Sequence, residues 1–171
     1  TTLVGAVLGT AGVVGLALGL PFRDIVENYL ASITLGIRRP FRSKDLVEID
    51  DSLGTVIRMT TRDTVLLTED GNHLTLPNSL VFKSKIVNYS RAPLRRFALD
   101  VGVGTRVDLS DAMHHGLAVL HRMAGVVDEP PPFAGVQTLG DSNVVLRFFG
   151  WVDQRHADYL KVRSEALRLL K

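Results

Sequence analysis

The first charged side chain in this sequence is Arg23. The 22 residues before it, TTLVGAVLGTAGVVGLALGLPF, carry no charge at all. As a helix they extend roughly 33 Å, about the thickness of the hydrocarbon core of a bilayer. A secretory leader opens with positive charge and has a shorter apolar run. A buried helix of a water-soluble protein is poorly served by five glycines, because each weakens a helix in water. A membrane span uses glycine where helices approach closely, and that is how the segment reads.

The glycines are ordered. At about 100° per residue, Gly5, Gly9, Gly12, Gly15 and Gly19 fall within about 120° of one another. Ala6 and Ala17 form a second strip, and Val13, Leu16 and Leu20 lie between the two. A helix with small residues on both flanks packs against identical neighbours on either side, which suits a ring of copies. The strip between the flanks then faces the ring axis, with Leu16 and Leu20 as two apolar collars. A simple helix pair through Gly15-x-x-x-Gly19 uses the same residues and stays open. Pro21 follows, and its missing N–H and its ring predict a kink or a stop. Beyond it, Phe22, Val26, Tyr29, Leu30, Ile33 and Ile37 share one face, while Asp24, Glu27, Asn28 and Thr34 share the other. Such amphipathicity suits a membrane surface. Arg38, Arg39, Arg42 and Lys44 close the segment as a basic membrane-interface cluster that marks a cytoplasmic side. A solvated basic turn has the same composition.

From residue 45 onward the pattern becomes β. Stretches at 45–50, 54–59, 64–68, 73–76 and 85–88 read as five short strands, enough for a small barrel. Asp70-Gly71 supplies a hairpin turn, and Pro77-Asn78-Ser79 reads as a loop. A second unit starts near Arg91-Ala92-Pro93. It contains a strand at 97–103, a helix at 108–124 capped by Asp108 or Ser110, and a Pro-rich linker at 129–132. A hairpin over 136–152 and a closing helix at 157–171 complete it. The order β-α-β-β-α predicts a small open α+β sandwich. The domains are therefore 1–41, 42–91 and 92–171.

Catalytic chemistry finds no purchase here. The chain has no cysteine, which removes disulfides, thiolate metal sites and cysteine nucleophiles. His114, His115 and His121 lie on one predicted helix without the carboxylate that a metal site at this spacing needs. Gly102-Val103-Gly104 lacks the lysine of a phosphate cradle and reads as a strand end. No catalytic residue, metal or cofactor is predicted. A net charge of +2 does not by itself announce a nucleic-acid binder. The basic stretch 83–96 supports an alternative, a membrane-anchored module that binds RNA or anionic lipid. Its few aromatics, Phe82, Tyr89 and Phe97, weaken base stacking.

Several runs, taken in order, resemble one family. They are Gly15-Leu16-Ala17-Leu18-Gly19, Asp24 through Asn28, Arg39-Pro40-Phe41, Gly54-Thr55-Val56, Arg62-x-Thr64, Thr68-x-Asp70-Gly71, Pro77-Asn78-Ser79, Asn88-Tyr89-Ser90-Arg91, Gly140-Asp141-Ser142 and Trp151-Val152-Asp153. Together they are similar to the pore helix and cytoplasmic region of the mechanosensitive channel of small conductance family. The resemblance implies a membrane α+β protein with a pore-lining transmembrane helix, an interfacial amphipathic helix, a small Sm-like β-barrel and a ferredoxin-like α+β domain. It implies a homoheptamer in the bacterial inner membrane, multi-pass at full length, with its C-terminal domains cytoplasmic. Such a channel opens under bilayer tension and passes ions and small osmolytes during hypo-osmotic shock, without nucleic acid as a partner. By position the family's pore constriction falls on Leu16 and Leu20. The family's glycine hinge falls on Asp24, so the resemblance implies a hinge at Asp24 or at the nearby Pro21. The family also has transmembrane helices before the pore helix and a short strand after the α+β domain.

Overall fold

The computed structural model describes the backbone from residue 2 to 171. It describes side chains from Phe22 onward, with Gly15 and Gly19 before that. Leu16, Leu20, Gly5, Gly9, Gly12, Ala6, Ala17 and the side chain of Pro21 lie outside the described residues. The first element is one helix, α1, Thr2–Arg38. It passes through Pro21 and Asp24 without ending, so the two segments that the sequence separated at Pro21 are one continuous element. Proline's fixed φ is helical, and it forfeits only one hydrogen bond of the ladder. Among the described residues no helix is long and apolar enough to cross a membrane; the apolar segment before Phe22 is almost wholly outside that set.

The chain divides into two units, 1–91 and 92–171. In the first, α1 leads to β1 (Leu46–Ile49), β2 (Ser52–Met59), β3 (Asp63–Leu67), β4 (His73–Pro77), α2 (Asn78–Lys83) and β5 (Ile86–Asn88). The strands form one antiparallel sheet in the order β4-β3-β2-β1-β5. Gly71, at φ +80°, makes the turn between β3 and β4, a conformation glycine adopts without a Cβ penalty. Alternation buries Val47, Ile49 and Val56, which join Leu66, Leu76, Val81, Leu35 and Phe41 in one core. Each such side chain contributes about 1.5–3 kcal/mol on burial.

Two sequence expectations are corrected here. The sheet is open, with β4 and β5 as edges, so the closed small barrel is not formed. The reason is that residues 78–83, which would carry β4 toward β5, are helical. Pro77-Asn78-Ser79 is accordingly no loop: β4 ends at Pro77 and α2 begins at Asn78. Asn78 is fully buried, accepting from Thr64 Oγ1 at 2.8 Å and donating Nδ2 to the Thr60 carbonyl at 2.9 Å. Those bonds satisfy its amide inside the core, as burial demands.

The second unit holds β6 (Leu94–Gly104), α3 (Leu109–Arg122), β7 (Phe133–Leu139), β8 (Asn143–Asp153) and α4 (Tyr159–Leu169). Its antiparallel sheet runs β6-β8-β7. Alternate residues Phe97, Leu99, Val144, Leu146, Phe148 and Val152 face a core completed by Leu120 of α3 and Ala166 of α4. Asp108, rather than Ser110, caps α3: its Oδ1 accepts from Ser110 N at 2.8 Å and Asp111 N at 3.1 Å. The β-α-β-β-α order read from the sequence stands.

Candidate functional site

The described part of α1 docks on its own unit by the face that the sequence marked as polar. Ala31, Ser32 and Leu35 are buried there, and Glu27, Asn28 and Thr34 are half-buried. Ser32 and Thr34 turn their hydroxyls back onto the carbonyls of Tyr29 and Leu30, each at 2.9 Å, so neither reaches the interface with an unpaired donor. The opposite face is apolar and open: Phe22 is 64% exposed and Ile37 78%, with Ile25, Val26, Tyr29, Leu30 and Ile33 also exposed.

Asn28 is the centre of the docking. Its Nδ2 donates to the Asp24 carbonyl at 2.9 Å, and its Oδ1 accepts from the backbone N–H of Ser79 at 2.9 Å. The residue that flanks α2 on its N-terminal side is Pro77, which has no side-chain acceptor for the open amides of a first turn. A side chain on another helix therefore performs the capping that Ser, Asp or Asn normally performs locally. At the far end of α2, Lys83 Nζ pairs with the Glu27 carboxylate. Arg38 lies over the Phe82 ring, 5.6 Å from its centroid.

Beyond Arg38 the chain reverses. Arg39, at φ +46°, donates its backbone N–H to the Leu35 carbonyl at 2.8 Å and its Nε to the Gly36 carbonyl at 3.3 Å. Phe41 then plugs into the sheet's core. Asp45 Oδ2 accepts from Arg42 N at 2.9 Å and from Asn88 Nδ2 at 2.8 Å. Arg38, Arg39, Arg42 and Lys44 are all exposed on this segment.

The other sequence-predicted residues are placed as follows. Gly15 and Gly19 are exposed, and a Cβ built on either meets nothing within 4 Å. Asp24 is exposed and accepts from Asn28 through its carbonyl. The three helical histidines are exposed, and among the described residues no group of His, Asp or Glu could hold a metal. The basic stretch 83–96 is largely committed: Lys83 to Glu27, Arg95 to the Tyr159 ring at 3.9 Å, and Arg96 to Phe149 and Trp151 at 5.0 and 5.9 Å. Phe82 is already covered by Arg38. These engagements do not favour the RNA-binding alternative.

Sequence reasoning missed the pairing of Asn28 with Ser79 and the existence of α2. The signal was present in Pro77, since proline commonly stands where a helix opens.

Residues 24–91 match the β-domain of the mechanosensitive ion channel family. The chain belongs to the small-conductance mechanosensitive channel family. It is 30% identical over its whole length to the small-conductance mechanosensitive channel of Helicobacter pylori, covering 61% of that protein. It is 29% identical over 168 residues to an uncharacterized MscS family protein of Archaeoglobus fulgidus, covering 95% of this chain and 59% of the relative. The crystal structure of closed-state Helicobacter pylori MscS superposes with a TM-score of 0.86 at 27% identity, over 95% of this chain and 64% of that one. The chain thus spans about three fifths of the length of these two curated relatives.

Proposed function

We propose that this family member is the pore-forming and cytoplasmic part of a channel opened by membrane tension. The observation that carries the reading is the fit of 95% of the chain to a closed-state channel of the family, at a TM-score of 0.86. The uncharged first 22 residues, continuous with that fold through α1, add to it. In this reading residues 1–20 cross the bacterial inner membrane, seven copies form a ring, and the sheet of the first unit and the whole second unit of each copy are cytoplasmic. The exposed apolar face from Phe22 to Ile37 lies in the bilayer interface, with Arg38, Arg39, Arg42 and Lys44 among the headgroups.

The mechanism is physical. Two collars made by Leu16 and Leu20 form a neck too apolar to hold a continuous water column, so ions meet a dewetting barrier without a plug. Tension favours the state that occupies more membrane area. The Gly5, Gly9, Gly12, Gly15 and Gly19 flank slides on the Ala6 and Ala17 flank of the next copy, so the ring widens while it stays packed. Pro21 and Asp24 are where α1 bends as it does so. Ions and small osmolytes then leave the cell during hypo-osmotic shock.

The test is patch recording of the full-length protein in membranes lacking other tension-gated channels. A pressure-activated conductance is expected, and Leu16→Ser or Leu20→Ser lowers its threshold by wetting the neck. Unchanged threshold and conductance in both variants would remove these leucines as the gate, and no pressure response in the wild type would remove the channel.

A further inference from the structure

A second feature of the first unit is independent of gating. The loop that leaves α1 borders a polar cleft of about 440 Å³, whose lining includes four arginines from two distant parts of the chain. Arg38, Arg39 and Arg42 come from the end of α1 and the loop, and Arg91 from the segment after β5. Cations at a helix C-terminus commonly do no more than complement its dipole. That accounts for Arg38 and Arg39, but not for Arg91.

The cleft is held in shape by Asn88. Its Nδ2 donates to the Pro40 carbonyl at 3.1 Å and to Asp45 Oδ2 at 2.8 Å, which fixes the loop. Its Oδ1 accepts from Ser90 N at 2.9 Å and Arg91 N at 3.0 Å, which fixes the opposite wall. The backbone under Arg42 and Arg91 is thus ordered before any ligand arrives, which reduces the ordering cost of binding. Asp45 is the one acid on the lining, and its Oδ2 already serves the Arg42 N–H and the Asn88 amide. Among the described residues the guanidiniums of Arg42 and Arg91 have no carboxylate partner.

The geometry points to a binding site for a phosphate ester in this cleft. Guanidinium presents paired N–H donors that match phosphate oxygens, and a phosphate supplies the negative charge that the lining lacks. The volume suits a headgroup or a small phosphorylated molecule. Two sources carry that chemistry: the headgroup of an anionic phospholipid, or a soluble phosphate ester.

The experiment is native mass spectrometry of the full-length, detergent-solubilised protein. One arm presents phosphatidylglycerol against phosphatidylcholine, and the other titrates glycerol 3-phosphate. The test variant is Arg42→Gln with Arg91→Gln. The control is Arg62→Gln with Arg106→Gln, which removes equal charge at exposed positions outside the cleft. Preferential retention of phosphatidylglycerol, weakened about tenfold or more in the test variant only, supports the site with lipid as its source. The same loss confined to glycerol 3-phosphate supports it with a soluble ester. Wild-type affinity of the test variant in both arms, no binding in either arm, or an equal loss in the control overturns it. Unchanged thermal unfolding of the ligand-free test variant separates lost binding from lost fold. Because the readout is binding, a protein that answers to pressure and binds neither probe overturns the site alone.

Discussion

Gly54 shows how a single residue fixes the first sheet. A Cβ built there sits 2.8 Å from the Leu67 carbonyl oxygen and 3.0 Å from the Leu66 Cβ, and a main-chain oxygen in a ladder cannot step aside. Gly54→Ala is expected to destabilise by about 1–3 kcal/mol, the usual cost of forcing volume into a packed site. Gly135→Ala, with nothing within 4 Å of its Cβ, serves as the neutral comparison. Urea unfolding of the full chain followed by far-UV circular dichroism distinguishes them, and equal midpoints would refute the steric account. In the second unit the residues of interest are carboxylates. The guanidinium and backbone N–H of Arg155, with help from His156, hold the Asp153 carboxyl well below the usual aspartate range. Arg147 does the same for Asp100, and Arg168 for Glu165. Folded values below the unfolded ones mean that this stabilisation is complete above the ordinary values of 3.8 and 4.5 and is lost as pH falls through the folded values. The unfolding midpoint read by Trp151 fluorescence is therefore expected to be unaffected by these groups from pH 7 to 5 and to drop below about pH 4. Asp153→Asn makes that drop shallower; an identical acid profile in this variant would assign the acid sensitivity elsewhere.

At the scale of the element, α2 depends on α1 for its start. Among the described residues Asn28 Oδ1 is the one acceptor for the Ser79 amide, and Pro77 cannot replace it. Asn28→Ala should cost about 1 kcal/mol, as the loss of a cap does, and should speed hydrogen exchange at the Ser79 amide. Asn28→Asp keeps an acceptor and should largely restore protection; exchange unchanged in Asn28→Ala would show that α2 holds without the cap. The same pair marks the limit of what the sequence could say. The strand patterning at 45–50, 54–59, 64–68, 73–76 and 97–103, the Asp70-Gly71 turn and a cap at Asp108 or Ser110 were legible because each is a local rule acting over a few residues. Helix α2 was not, because its six residues are too few for periodicity and its cap comes from a residue far away in the chain. The open sheet was hidden for the same cause: strand count was readable, but closure depends on whether residues 78–83 extend or coil. The amphipathic stretch was legible as a pattern, yet the face that docks carries the small residues Ala31 and Ser32 and paired polar groups beside Leu35, while the bulkier apolar face stays open. The arginine cleft was half visible, as Arg38, Arg39 and Arg42. Arg91 joins them only because β5 pairs with β1, a non-local fact.

For the whole molecule, the proposed ring makes a demand that one copy does not. Gly15 and Gly19 have open space where a Cβ would stand, so within a single chain their replacement meets no obstacle. Helix propensity even favours it, by about 1 kcal/mol for each glycine changed to alanine. If the glycine flank faces only lipid, Gly15→Val and Gly19→Val should therefore be tolerated. If it faces the Ala6 and Ala17 flank of a neighbouring copy, the added methyl groups must push the two helices apart, since close approach is what small residues permit. The expected outcome is a raised pressure threshold or lost opening in patch recordings of the full-length variants, with normal yield and unchanged unfolding of the two β-sheets. Alanine at the same positions should give an intermediate shift, because one methyl group separates the helices less. Wild-type thresholds in both valine variants would mean that the glycines line no helix–helix contact, and the sliding step of the mechanism would fall with them. A shift that grows from alanine to valine follows added bulk rather than helix propensity, which favours alanine over valine, so that result would locate the effect between copies.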